Sequence, residues 1–189
     1  MYFNTTVANF SPLLLYVPQA LWSEALPQDP LLSDYATQSY HATSASQGQA
    51  SVSFSWSGTG VWLYGGYRPT LGAYKVVVDG KVCQYPGFQN GSTSQANYLL
   101  HGSRNLTAGT HSIELTNISE DDEQNILDLD YLVFETYTNE DLVPRTVHYS
   151  ESDIQYISTS PDEDWNSQPD FRVTNAATGV IKLNFTASV

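Results

Sequence analysis

One hairpin leaves this chain little conformational choice. In AYKVVVDGKVCQY two β-rich runs flank Asp79-Gly80, a pair suited to a type I′ turn because both central residues must take positive φ. A two-residue turn fixes the register. Val78 falls opposite Lys81, Val76 opposite Cys83 and Tyr74 opposite Tyr85 on one face, with Val77 and Val82 on the other. The first face is the richer in aromatics and is predicted to point inward. Cys83 then reads as a small buried hydrophobe rather than a nucleophile.

The stretch 48–134 continues this pattern. In SVSFSW the apolar set is Val52, Phe54 and Trp56 with serines between them, and after Gly58-Thr59-Gly60 the run VWLYGG sets Val61 and Leu63 against Trp62 and Tyr64. Both faces of that second strand are apolar, so it is either central and covered on both sides or it shows an aromatic face to a ligand. Further strands are predicted at 97–100, at 111–116 with His111, Ile113 and Leu115 in phase, and at 126–134. Proline and glycine punctuate the chain at sandwich and jelly-roll spacing, and no segment of useful length has helical period. The fold class is all-β, an antiparallel β-sandwich.

Composition narrows the partners. Of 189 residues 41% are apolar, enough for a core, while only 14% are charged, and Ser, Thr, Asn, Gln and Tyr fill the surface as in extracellular β-proteins. A formal charge of -13 repels polyphosphate backbones and anionic lipid surfaces, which argues against nucleic acid as a partner. No run approaches the roughly 18 apolar residues of a membrane span. N-x-Ser/Thr sequons at Asn4, Asn90, Asn105, Asn117 and Asn184 point to a glycosylated secreted chain. The apolar run 13–17 is too short for a signal peptide and lacks a basic flank, so the chain reads as an excised ectodomain or mature product. Cys83 is the single cysteine, so an internal disulfide is excluded and stability must come from the core.

An internal repeat divides the chain. Thr6, Val7, Leu14 and Tyr16 recur in order as Thr146, Val147, Ile154 and Tyr156; Tyr40, Thr43, Gly48, Val52 and Phe54 recur as Phe171, Thr174, Gly179, Leu183 and Phe185, with Trp165 as the counterpart of Trp22. Residues 1–140 form one module, and 141–189 form the N-terminal part of a second. That shorter piece is expected to pack on the first module or pair with a partner chain, which makes a homo-oligomer one expectation.

The segments TVANFSPLLLYVPQALW, SYHATSASQGQASVSFSWSGTGVWLYGG, GAYKVVVDGKV, LTAGTHSIELTN and LDLDYLVFE resemble the repeated galactose-binding-like jelly-roll ectodomain modules of fungal secreted and cell-surface proteins, which are similar to carbohydrate-binding modules. In calcium-containing relatives the last strand resembles Leu129-Asp130-Tyr131 here. The resemblance therefore implies a structural calcium ion with Asp130, joined by Asp128, as ligand. The N-terminal acidic ligand of those relatives has only a loose match in Glu24. The residues themselves also allow two strand-end carboxylates that cap a neighbouring turn.

Sugar binding needs aromatic faces and a few fixed polar groups. Trp62, Tyr64, Tyr67 and Arg68 lie on or just after one strand and are the candidate ligand-binding residues, whereas Trp56 and Tyr74 are read as core. The acidic run 119–123 reads as a solvated loop without EF-hand spacing. A glycosidase needs two facing carboxylates, and nothing in the sequence brings Asp79, Glu114 and Asp130 together. His41, His101, His111 and His148 have no metal spacing, and no serine sits in a nucleophile elbow. The expected function is a non-catalytic, extracellular, lectin-like module that binds a glycan or glycoprotein. The rival is a structural or adhesive protein-interaction ectodomain.

Overall fold

The computed structural model describes residues 1–89, 92–138, 154–157, 166–167, 172–173 and 180–183. The chain divides into two compact units, Met1–Tyr137 and Thr138–Val189.

The first unit is built from strands β1 (Tyr2–Ala8), β2 (Leu15–Val17), β3 (Trp22–Glu24), β4 (His41–Ser44), β5 (Ser51–Gly58), β6 (Gly60–Tyr67), β7 (Tyr74–Val78), β8 (Lys81–Tyr85), β9 (Gln95–Ser103), β10 (Gly109–Asn117), β11 (Ile126–Leu129) and β12 (Tyr131–Tyr137). One sheet has the order β1-β12-β6-β9 and a second the order β2-β5-β10-β7-β8, with β11-β4-β3 as a third, smaller sheet. Set aside the short strands β2, β3, β4 and β11. Apart from the β7–β8 hairpin, which stays in one sheet, the remaining strands alternate between the two large sheets in the double Greek-key order of a jelly roll, and every ladder among them is antiparallel.

Alternation explains what fills the sandwich. Val52, Phe54 and Trp56 of β5, Val61 and Leu63 of β6, Val76 and Val78 of β7, and Ile113 and Leu115 of β10 all enter one core cluster. Trp56 is 4% exposed and Tyr74 is 3% exposed, as core residues. Asp79 and Gly80 both have positive φ, and the β7–β8 ladder pairs Val78 with Lys81, Val76 with Cys83 and Tyr74 with Tyr85. One expectation needs correction. Cys83 is half-buried, because β8 is the edge strand of its sheet and only one neighbour covers it; Val82 on the outer face is 54% exposed.

The predicted strand 126–134 is two strands. It breaks at Asp130, β11 pairing with β4 and β12 with β1 and β6. The backbone of Asp130 is held on both sides there, its N–H donating to Tyr64 O and its carbonyl accepting the backbone N–H and side-chain amide of Asn9. The segment thus passes from one sheet to the other without a turn residue to announce it.

In the second unit β13 (Ile154–Ile157) pairs antiparallel with β16 (Val180–Leu183), and β14 (Asn166–Ser167) with β15 (Arg172–Val173). The residues that follow Trp22 pair as Ser23 with Ala42 and Glu24 with His41, and those that follow Trp165 pair as Asn166 with Val173 and Ser167 with Arg172. Thr146, Val147, Trp165, Phe171, Thr174, Gly179 and Phe185, on which the repeat was also read, lie outside the described residues.

Candidate functional site

The first sheet turns an aromatic strip outward. β6 lies between β12 and β9, so its alternation buries Val61 and Leu63 and sends Trp62 and Tyr64 to the outer surface, where both are half-buried. Trp62 stands between Val133 and Gly102, and Tyr64 between Tyr131 and Leu99. Glycine shapes the bed of the indole. A Cβ on Gly102 would lie 2.7 Å from Trp62 Cδ1, and one on Gly60 would lie 2.8 Å from Trp62 Cη2. Both ends of the ring therefore rest where side chains would otherwise rise, and the indole is laid along the sheet. Beside it Tyr64 and Tyr131 stack at 4.6 Å and 11°, with Tyr131 Oη donating to Asn97 Oδ1 at 2.9 Å. Leu99, 45% exposed, continues the apolar surface. Towards the other end of β12 the outward residues are Glu135, opposite Asn4, and Tyr137, opposite Tyr2, whose rings lie 4.9 Å apart. Thr59 Oγ1 donates to Glu135 Oε1 at 2.6 Å and holds that carboxylate in place.

Tyr67 and Arg68 do not join this surface. The ladder between β6 and β9 shifts register between Leu63 and Tyr64 and again between Gly65 and Tyr67. Beyond the shifts Tyr67 packs against the core and stacks on Tyr98 at 4.4 Å, its hydroxyl accepting the Gln89 N–H at 3.0 Å. Arg68 is more deeply engaged. Its guanidinium donates to Asp29 Oδ2 at 2.6 Å, to Asp128 Oδ2 at 2.9 Å and to the Tyr35 hydroxyl at 2.5 Å. Its Cζ lies 5.4 Å and 5.1 Å from the ring centres of Tyr35 and Tyr40. Burial alone would raise the carboxyl of Asp29, but hydrogen bonds from Tyr40 and Arg68 bring it below its ordinary value.

This network decides whether calcium fits. The Asp128 carboxylate is fully buried and accepts the Gly66 N–H, the Tyr35 hydroxyl and the Arg68 guanidinium. The Asp130 carboxylate accepts the backbone N–H of Ala36 at 2.8 Å and of Thr37 at 3.2 Å, and the Thr37 hydroxyl at 2.5 Å. Burial holds its pKa above the usual value, outweighing the hydrogen bonds from Thr37 and Ala36. A dication at Asp128 would stand against a guanidinium already bound there, and at Asp130 it would have to displace the donors of a turn. Asp128 and Asp130 do not fit a calcium ion. They cap and clamp the segment 35–37 instead, and among the described residues no group of three His, Cys, Asp or Glu side chains is arranged to hold a metal.

The other singled-out residues are dispersed. Asn4 and Asn105 are exposed, Asn105 at φ 59°. Asn117 is withdrawn from the glycan-bearing set: it is 2% exposed, donates its side-chain amide to Asn125 O at 2.8 Å and accepts the Ser119 N–H, so the folded chain has no room for a sugar there. Asn90 and Asn184 lie outside the described residues. At the β7–β8 turn, His111 Nδ1 meets Asp79 Oδ2 at 2.6 Å and its Nε2 meets Thr107 O at 2.8 Å. Both ring nitrogens thus face acceptors. Partial burial disfavours the imidazolium, but the Asp79 hydrogen bond outweighs it and raises the pKa above its ordinary value.

Gly60, Gly102 and Tyr131 were missed as parts of the strip, as were Asp29, Tyr35 and Tyr40 as the partners of Arg68. The first two read as turn and spacing glycines, and Tyr131 was hidden by the unseen break at Asp130.

No family model matches the chain, and no curated protein matches it. Solved structures resemble it in part. A family two carbohydrate esterase from Cellvibrio japonicus is 12% identical over 78% of this chain and 37% of that one, at a TM-score of 0.46. The CBM36-1 domain of a multidomain xylanase from the hindgut metagenome of Trinervitermes trinervoides is 18% identical over 73% of this chain and 100% of that one, at 0.41. The Agl-KA catalytic domain is 13% identical over 77% of this chain and 30% of that one, at 0.45. At such scores a likeness carries neither a shared site nor a shared activity.

Proposed function

We propose that the outer face of the first sheet binds carbohydrate, with Trp62 and Tyr64 as stacking surfaces and Tyr131, Leu99 and Asn97 around them. One observation carries this reading: the Trp62 indole is laid along the sheet over Gly60 and Gly102, half-exposed, beside the stacked Tyr64–Tyr131 pair. A flat ring of this kind presents its face to the C–H surface of a pyranose, and the Tyr131 hydroxyl and Asn97 amide stand at its side to meet sugar hydroxyls. Arg68 engages Asp128 and a turn engages Asp130, which supports a binding mode that does not draw on calcium at these two residues. The module is read as non-catalytic. Asp79 accepts the Ser112 N–H and meets His111 at a hairpin turn, and Asp130 accepts the donors of Ala36 and Thr37, so both carboxylates are engaged in holding the fold. The low share of charged residues, 14%, and the exposed sequons Asn4 and Asn105 support reading it as an extracellular glycoprotein.

A glycan array probed with and without calcium tests the proposal. Binding to at least one neutral glycan in both conditions, lost in Trp62→Ala, is expected; silence across the array would remove the reading. A protein-interaction role has one observation in its favour, the edge strand β2 and its approach, where Phe10, Leu13, Leu15 and Val17 are exposed.

A further inference from the structure

The same face carries an exposed N-x-Thr sequon. β1 lies at the edge of the first sheet, and its alternation puts Tyr2, Asn4 and Thr6 on one surface, opposite Tyr137, Glu135 and Val133. Asn4-Thr5-Thr6 is a sequon, so the acceptor asparagine has an aromatic ring two residues before it and the sequon threonine two residues after it, all side by side. Tyr2 is 63% exposed and Tyr137 40%, and their rings lean together at 4.9 Å. Adjacent outward positions on a strand are about 7 Å apart, so the first sugar on Asn4 reaches the Tyr2 ring without bending the backbone.

We infer that Asn4 is N-glycosylated and that the first N-acetylglucosamine lies on the Tyr2–Tyr137 pair, so that this module carries its own sugar on the aromatic sheet. Attachment joins Asn4 Nδ2 to the anomeric carbon of the sugar. The bond from that carbon to a lipid pyrophosphate donor breaks, the pyrophosphate leaves with the electron pair, and one amide proton is lost. The pyranose then covers the tyrosine rings as it would in a lectin site, with no translational entropy to lose because it is tethered. Glu135, fixed by Thr59 directly across from Asn4, is the polar group beside it. Asn105 is the internal control: it is exposed, but the residue two before it is Ser103, which carries no ring.

The test uses the full chain secreted from a eukaryotic host behind an added secretion signal. Occupancy at Asn4 and Asn105 is read by mass spectrometry, and the native glycoprotein is digested with an amidase that cleaves the Asn–sugar bond. Release from Asn4 is expected to be at least tenfold slower than from Asn105, the difference vanishing in Tyr2→Ala and persisting in Tyr2→Phe. The N-acetyl methyl signal of the Asn4 sugar is expected upfield of its Asn105 counterpart, again only while a ring stands at position 2. An unoccupied Asn4, or equal release rates in the parent chain and Tyr2→Ala, would overturn the inference. A silent glycan array bears on the proposed recognition of outside sugars and leaves these rates unaffected.

Discussion

Four neighbouring residues of β6 and its exit, Trp62, Tyr64, Tyr67 and Arg68, divide between two environments. Trp62 and Tyr64 lie on an open sheet surface against glycine and other rings, whereas Tyr67 and Arg68 turn inside, where both terminal nitrogens of the guanidinium donate to protein partners. The dividing point is Gly65-Gly66. A Cβ on Gly66 would collide with the Tyr35 hydroxyl and the Asp128 carboxylate, so only a bare backbone lets the strand pass that close to the buried acid. The lesson is that chemistry adjacent in sequence is separated by one register shift: the rings before it are free to meet a ligand, and the cation after it is consumed by the fold.

The sharpest way to break this contrast is Arg68→Met. It leaves Asp29 and Asp128 buried without their cation, and a loss of about 3–5 kcal/mol is expected in denaturant unfolding at neutral pH, with glycan affinity of the folded fraction unchanged. A loss below about 1 kcal/mol would mean that the network is not holding the loop. Trp62→Ala should do the opposite. Affinity falls by about 2 kcal/mol or more, roughly thirtyfold in Kd by calorimetry, while the stability change stays near 1 kcal/mol because the ring is only half-buried. Gly102→Ala is a finer probe: the added methyl lifts the indole off the sheet, and a loss of about 1 kcal/mol in affinity is expected with Trp62 still present. Equal affinity in that variant would show that the laid-down ring is not the recognised surface.

The smallest effect belongs to neither region and serves as a control. The pKa of His111 is raised in the folded chain, so its clasp on Asp79 and Thr107 contributes fully below the unfolded value of about 6.5 and is lost as pH rises through the higher folded value. The stability gap between the parent chain and His111→Gln should therefore shrink from pH 6 towards pH 8, followed by thermal unfolding. Glycan affinity should not follow it.

The sequence made the sandwich legible wherever alternation and turn chemistry agreed. Asp79-Gly80 set the β7–β8 register, and the serines of β5 marked its outer face. It was silent where a strand changes sheets without a turn residue, as at Asp130, and where a contact spans distant segments. Arg68 finds Asp29 and Asp128 from opposite directions along the chain, and no local pattern encodes that meeting. Trp62 and Tyr64 were visible because apolar residues on both faces of β6 demanded an explanation. Their neighbours Gly60 and Gly102 were not, since a glycine under a ring looks in sequence like any other spacer. Asn117 shows the limit of a motif: the sequon is intact, but the amide is buried in hydrogen bonds to Asn125 and Thr43.

The pairing of β1 with β12 runs from Tyr2 opposite Tyr137 to Ala8 opposite Tyr131, so the entrance and exit of the first unit sit together at one end of one ladder. A pull that separates those two ends loads the Tyr2–Tyr137 rung first and opens the remainder one rung at a time, like a zip, instead of straining the whole ladder in shear. Under traction the unit would yield at this seam at low force while the β5–β10–β7 ladders stayed closed, and any sugar bridging Tyr2 and Asn4 would sit on the first rung to give way.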